Sequence, residues 1–460
     1  MKNFFFNKLF TLKNLFYLGN FLALGFFLVV LYQDHFREWK PYQTQYKNLE
    51  IKNIRKRMEG SGGADDSAKE ALQDELKAAK RRPHEIKQIL ARDIRRVDRC
   101  ATCHLGYDSL ANPALVNDFE QHPYAAPANA VHAAHSFEKY GCTVCHEGQG
   151  LATTFYDAAH MPKSAEQKEK WKKVHGWEEI EFWEEPMKAG PLVYASCSKC
   201  HESHPNVPGM DKVKQGKQIF WESGCIGCHQ VNGEGGPIAP DLAVETSVKP
   251  VTRIDFGPAV SARLITKRER TLENWIRLHF STNPAVISPG DPQGKLSADP
   301  KNPQPVAPTA MPNFGFNPDE TEALTAYVLS LKEEKTIPHS FRVAAPKEPE
   351  PKFTNAAQHG RYVFQKYGCV ACHGKDANSG IPVFNRQGLF VPDIVKTAGT
   401  FTREELIKKI QVGVNPEEKE DESGPIPPLY MPPFKDKIKG KELENLVTYL
   451  LSIAEKQETW

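Results

Sequence analysis

This 460-residue chain has no cysteine outside a single repeated pattern, no excess of either charge and no long uncharged apolar run beyond residues 15–32. The first absence excludes most. All 10 cysteines fall in Cys-x-x-Cys-His pentads, so none is left for a structural disulfide, a separate zinc site or a thiol nucleophile. The second is also informative. With 59 basic against 57 acidic residues the net charge is +2, and the chain lacks the basic surplus that tracks a phosphate backbone. No nucleic-acid partner is expected. Composition is otherwise that of a globular protein, 40% hydrophobic and 25% charged.

The pentads are Cys100-Cys103-His104, Cys142-Cys145-His146, Cys197-Cys200-His201, Cys225-Cys228-His229 and Cys369-Cys372-His373. Chance at these residue frequencies would supply roughly 0.01 of them, so the repetition has a chemical cause. Two thiols spaced by two residues suit thioether bonds to the two vinyl groups of a porphyrin. A histidine directly after the second thiol reaches the iron as an axial ligand. Zinc would not demand that histidine every time, and an odd number of Cys pairs cannot all combine into Cys₄ sites. The pattern predicts five covalently bound c-type haems, with His104, His146, His201, His229 and His373 as axial iron ligands.

Residues 15–32 carry no charge and would span about 27 Å as a helix, the thickness of a bilayer core. Lys2, Lys8 and Lys13 precede this run, which orients residues 1–14 towards the cytoplasm. No small-x-small cleavage site follows, so the segment is read as an uncleaved anchor. Haem attachment is extracytoplasmic chemistry. The expected location is therefore a bacterial inner membrane, with the bulk of the chain in the periplasm. Residues 33–99 are charge-rich and read as a helical stalk, with helices near 45–58 and 66–81 broken by Gly60, Gly62 and Gly63 and ended by Pro83.

Residues 100–210 hold three pentads 42 and 55 residues apart, too little chain for three separate globular cores. They are read as one haem-packed module. The remainder contains a repeat. Gly216-Lys217-Gln218-Ile219-Phe220 before Gly224-Cys225 matches Gly360-Arg361-Tyr362-Val363-Phe364 before Gly368-Cys369. Each copy, 211–334 and 355–460, ends in an apolar-faced helix, around Leu324–Leu329 and Leu446–Leu451, and a Pro-rich linker at 335–354 separates them. The offset is 144 residues at the pentads but 122 at the closing helices. The first copy thus carries 22 extra residues, assigned to a Pro-rich surface loop at 284–308.

Both copies run helix, pentad, Pro-Asp (Pro240-Asp241, Pro392-Asp393), Met-Pro step, closing helix. This order resembles class I cytochrome c domains. The resemblance implies that Met311 in Met311-Pro312 is the distal ligand for the haem of His229, and Met431 in Met431-Pro432 that for the haem of His373. The first three pentads have no such Met-Pro step. Histidines are dense there instead, which suggests bis-His ligation, with His122, His135 and His160 as distal candidates and Met187 as a substitute for one of them. The expected fold is mainly α: an N-terminal transmembrane helix, a helical stalk, a three-haem module and two class I cytochrome c domains.

The wider run Arg37-Glu38-Trp39-Lys40, Arg99–His104, Tyr140–Gly150 and Ala195–His201 resembles membrane-anchored multihaem cytochrome c subunits beside bacterial quinol-oxidising complexes. That resemblance implies cytochrome b or Rieske-type membrane subunits as donors, and a periplasmic acceptor or terminal oxidase beyond. The chain then has an electron-transfer role with no catalytic residue. Competing readings are a multihaem nitrite reductase, a dihaem peroxidase, or the pentahaem subunit of alternative complex III. The nitrite reductase pattern usually replaces His by Lys in one motif, and all five here end in His.

Overall fold

The computed structural model describes residues 11–60, 66–106, 135–162, 164–178, 185–188, 190–201, 207, 209–248, 251–267, 269–295, 301, 304–332, 338–343, 351–378, 380–427 and 429–455. The fold is mainly helical, with an apolar helix near the N-terminus. The chain divides into two compact units: Met1–Arg92, Arg96–Cys142 and Gln149–Ala158 in the first, Asp93–Arg95, Thr143–Gly148 and Ala159–Trp460 in the second.

In the first unit, helix α1 (Leu12–His35) starts at Thr11, whose hydroxyl accepts the Asn14 N–H at 3.3 Å. Its 24 residues reach about 36 Å, and its side chains are exposed along the whole length. Within the uncharged run 15–32, Asn20 donates to the Phe16 carbonyl one turn back at 2.7 Å, which pairs its amide inside the helix. The helix is long and apolar enough to cross a membrane, a property that anchors and signal sequences share.

Helices α2 (Lys40–Gly60) and α3 (Asp66–Arg81) cover the two stretches expected from the sequence. They form an antiparallel hairpin, since Arg57 pairs with Glu75 while Arg82 forks onto Glu50 at 2.7 and 3.0 Å. Strands β1 (Ile89–Ala91) and β2 (Arg96–Asp98) pair antiparallel, Ile89 opposite Asp98, and deliver the chain to the first pentad.

In the second unit, short helices α4 (Thr143–His146) and α5 (Ala165–His175) precede the two repeats. The first repeat is framed by α6 (Asp211–Glu222) and α9 (Pro318–Ser330), with α7 (Leu272–Ser281) and α8 (Pro284–Ile287) between them. The second is framed by α10 (Ala356–Lys366) and α13 (Gly440–Ile453), with α11 (Val370–His373) carrying the pentad and α12 (Arg403–Val412) packed on α13. Both frames cross at a glycine. A Cβ on Gly216 would lie 1.9 Å from the Ala323 carbonyl oxygen, and one on Gly360 would lie 1.9 Å from that of Asn445. Only a residue without a side chain lets the backbones approach so closely. Above each crossing an aromatic pair repeats, Phe220–Tyr327 at 5.2 Å and Phe364–Tyr449 at 5.7 Å between ring centroids.

The extra residues of the first repeat are not all surface loop. Asn283 caps α8, Pro284 pre-sets its first turn, and Ile287 is buried against Ala259 and Leu278. The stretch begins as core because its apolar residues fall at helical spacing behind a cap, which a Pro count does not show.

Candidate functional site

The two C-terminal pentads have the same local chemistry. Each turns sharply after a glycine in the left-handed region, Gly224 at φ +76° and Gly368 at φ +72°. The first thiol of each, buried Cys225 and half-buried Cys369, is pushed up to about 12 by desolvation. Cys103 and Cys197 are likewise raised to about 12. These are the surroundings of structural cysteines rather than of an activated nucleophile.

The histidines that follow are oriented by proline carbonyls. His229 Nδ1 lies 2.9 Å from the Pro240 oxygen and His373 Nδ1 2.9 Å from that of Pro392. A carbonyl only accepts, so Nδ1 carries the proton and donates, leaving the Nε2 lone pair for a metal. Burial lowers both histidine pKa values, which keeps the imidazoles neutral as iron ligation requires. Asp241 supports the first of these loops by accepting the Asn232, Gly233 and Ala243 N–H groups at 3.2, 2.6 and 2.9 Å. Asp393 instead caps the short helix Ile394–Thr397. The Pro-Asp step was visible in the sequence. Its role was not, because the hydrogen-bonded histidine is 11 residues away in one copy and 19 in the other.

Met311 packs against the apolar cluster that contains Cys225, Phe220 and Leu324. Met431 packs against the cluster that holds Val363, Phe364 and Leu446, beside which Cys369 also packs. The backbone of Met431 is pinned by reciprocal bonds with Val414 at 2.8 and 3.1 Å. Each methionine therefore shares a core with its own pentad. Two thiols, an oriented neutral imidazole and a nearby thioether form a donor set that fits c-type haem.

The third pentad begins on a 3₁₀ stretch, Gly190–Lys199, that carries Cys197 and packs against α9. Leu192 and Ala195 enter the first repeat's core, and the Val343 N–H donates to the Cys200 carbonyl at 2.6 Å. Of the second pentad, Cys142 belongs to the first unit and Thr143–His146 to the second. Beside His146 stands a buried charge cluster: Glu147 lies 2.9 Å from Lys188 and 3.2 Å from Lys199. Burial alone would raise the Glu147 carboxyl, but the two ammonium groups hold it at about 2. No sequence pattern announced this cluster.

In the first unit, Gln43 of α2 donates to the carbonyls of Glu85 at 2.7 Å and of Thr102 at 3.0 Å, tying the hairpin to the first pentad. Buried Asp98 accepts the Cys142 N–H at 2.9 Å and the Cys100 thiol at 3.6 Å. Gly141, at φ +70°, is required there, since a Cβ would fall 2.0 Å from the Asp98 carboxylate.

Among the distal candidates, His135 stacks obliquely on Tyr140 at 5.0 Å. The His160 ring meets Trp171 edge-on at 6.1 Å, and its carbonyl accepts the Trp177 indole N–H. Met187 is brought next to His160 through a 2.9 Å bond from its N–H to the Ala159 carbonyl, while neighbouring Lys188 donates to the His146 carbonyl at 2.7 Å. His122 lies outside the described residues.

The Cytochrome c family matches residues 213–256, and the family described as Cytochrome C oxidase, cbb3-type, subunit III matches residues 355–450. A curated relative, cytochrome c oxidase subunit 2 of Alkalihalophilus pseudofirmus, is 32% identical over 121 residues, 26% of each chain. The chain thus spans about a quarter of the length of that relative. No solved structure matches. The C-terminal part of this protein contains cytochrome c domains, and covalently bound c-type haem is the cofactor that such domains imply.

Proposed function

We propose that the chain is a membrane-tethered pentahaem cytochrome that carries electrons from a membrane quinol-oxidising complex to a periplasmic or oxidase acceptor. The observation that carries this reading is the repetition of one donor set. Five Cys-x-x-Cys-His pentads lie in one chain, and in both repeats a proline carbonyl fixes the histidine with Nε2 free.

Each haem, once bound, supplies one-electron transfer; the chain supplies attachment, ligands and surroundings. The ten thiols hold the rings, and Pro240 and Pro392 set the tautomer of their histidines. The thioethers of Met311 and Met431 favour reduced iron more than a second imidazole does. The C-terminal repeats then sit at higher potential than the histidine-rich pentads, and ligand choice sets the direction from membrane to C-terminus. His135, His160 and Met187 remain the distal candidates for the N-terminal pentads, with His122. Helix α1 is assigned as the tether, with the rest of the chain in the periplasm of a bacterial inner membrane.

A redox titration tests this reading. Met311→His and Met431→His should each remove one high-potential component and add a lower one. An unchanged upper part of the curve in both variants overturns the ligand assignment and the direction built on it. Co-purification in mild detergent tests the donor: cytochrome b or Rieske-type subunits should accompany the chain. The match of 355–450 to an oxidase subunit family favours a terminal oxidase as acceptor. Retention of an oxidase core in the same preparation supports that arm.

A further inference from the structure

We infer that Gly224–Cys228 and Gly368–Cys372 form a self-complementary clasp that holds the haems of the two C-terminal repeats as one electronically coupled pair. The inference rests on the proposed haem loading of both repeats. Gly224 and Gly368 are equivalent, each preceding the first cysteine of its pentad; Gly227 and Ala371 are equivalent, each preceding the second.

The contacts between the pentads obey the same equivalence in both directions. A Cβ on Gly224 would lie 2.5 Å from the Ala371 nitrogen, and a Cβ on Gly368 would lie 2.1 Å from the Gly227 nitrogen. This is the reciprocity of a two-fold contact, residue i meeting j and j meeting i. On its axis fall the second cysteines, Cys228 and Cys372, whose side chains are hydrogen-bonded to each other. A further bond joins the repeats at the rim, from Lys437 Nζ to the Gly235 carbonyl.

Gly227 is the informative position. Its backbone is not in the left-handed region, so its own conformation would accept a side chain. The contact would not, because a Cβ there would fall 2.1 Å from the Gly368 oxygen. Its small size is therefore explained by the approach of the other pentad rather than by a turn. A thioether sulfur is two bonds from the porphyrin ring it anchors. Two thioether sulfurs in contact bring two ring edges together, which is the arrangement that strong electronic coupling requires. The same contact covers these edges, so an external partner must reach the pair elsewhere.

The test uses the full chain purified in detergent. Peptide mass mapping first establishes whether Cys225/Cys228 and Cys369/Cys372 each carry a haem. A Cys228–Cys372 disulfide in their place overturns the haem reading of the repeats itself, not the clasp alone. With both haems present, the Soret circular dichroism of the wild type should show a two-signed couplet. In Gly227→Val it should lose at least half its amplitude at unchanged haem content. A couplet of equal size in the variant, or none in the wild type, overturns the clasp. Should Gly227→Val fail to load haem, electron paramagnetic resonance of the oxidised wild type decides. Mutually broadened signals from the two Met-ligated haems support the pair, and sharp independent signals overturn it.

Discussion

The C-terminal repeats and the second pentad solve one problem, holding a Cys-x-x-Cys-His turn in place, by opposite means. In the repeats the turn sits on an apolar core: Phe220, Leu324 and Tyr327 in one, Phe364, Leu446 and Tyr449 in the other. A proline carbonyl orients each histidine, and no buried ion pair is seen at either turn among the described residues. At the second pentad buried charge takes over, with Glu147, Lys188 and Lys199 each less than a tenth exposed. A segment with two enclosing helices can bury enough apolar surface to fix the turn. A short helix such as Thr143–His146 cannot, and relies on ion pairs whose desolvation is costly unless every partner is present.

Breaking that cluster gives the largest expected effect. Glu147→Leu leaves two buried ammonium groups facing each other and should cost roughly 3–5 kcal/mol in chemical unfolding. Combining it with Lys188→Met and Lys199→Met should recover most of the loss. If the single change is harmless, the charge cluster is not what holds the turn.

Core truncation sharpens the other side. Leu324→Ala and Leu446→Ala should each cost about 2–5 kcal/mol, by similar amounts, because each removes a fully buried closing-helix leucine. These losses should be independent of salt.

A pH dependence separates the regions further. Glu273 on α7 has a carboxyl oxygen enclosed without a hydrogen-bond partner, and burial raises its pKa to about 7. Glu147 adds to the rise, while Lys188 and Arg277 oppose it. The folded state thus binds the proton more tightly than the unfolded chain, whose value is near 4.5. Stability from this group falls as pH rises between 4.5 and 7 and is level outside that window. Glu273→Gln should gain up to about 3 kcal/mol at pH 8 and nothing at pH 4, read from unfolding midpoints. A gain of equal size at both pH values contradicts the assignment.

The smallest expected effect lies at the helix starts. Asn317 and Thr402 complete capping boxes with Glu320 and Glu405. Each Ala substitution should cost about 1 kcal/mol.

Local features were legible in the sequence. Helix-favouring stretches and the Gly60 and Pro83 breaks mark the hairpin helices, and apolar spacing marks the closing helices around Leu324–Leu329 and Leu446–Leu451. Gly216 and Gly360 aligned as a repeat before their role at the helix crossing was known. What could not be read was tertiary. Glu147 meets partners far along the chain at Lys188 and Lys199. Gly227 reads as an ordinary interior residue of a pentad until Gly368 is placed against it. Proline carbonyls carry no side-chain signature at all, so the groups that orient His229 and His373 stayed hidden behind a Pro-Asp pattern.

The central claim is that one chain covalently carries five haems. The mass of the intact protein, purified from its native membrane and denatured, tests it most directly. The account predicts the mass of the polypeptide plus five haem groups. An excess of four haems or fewer would contradict it.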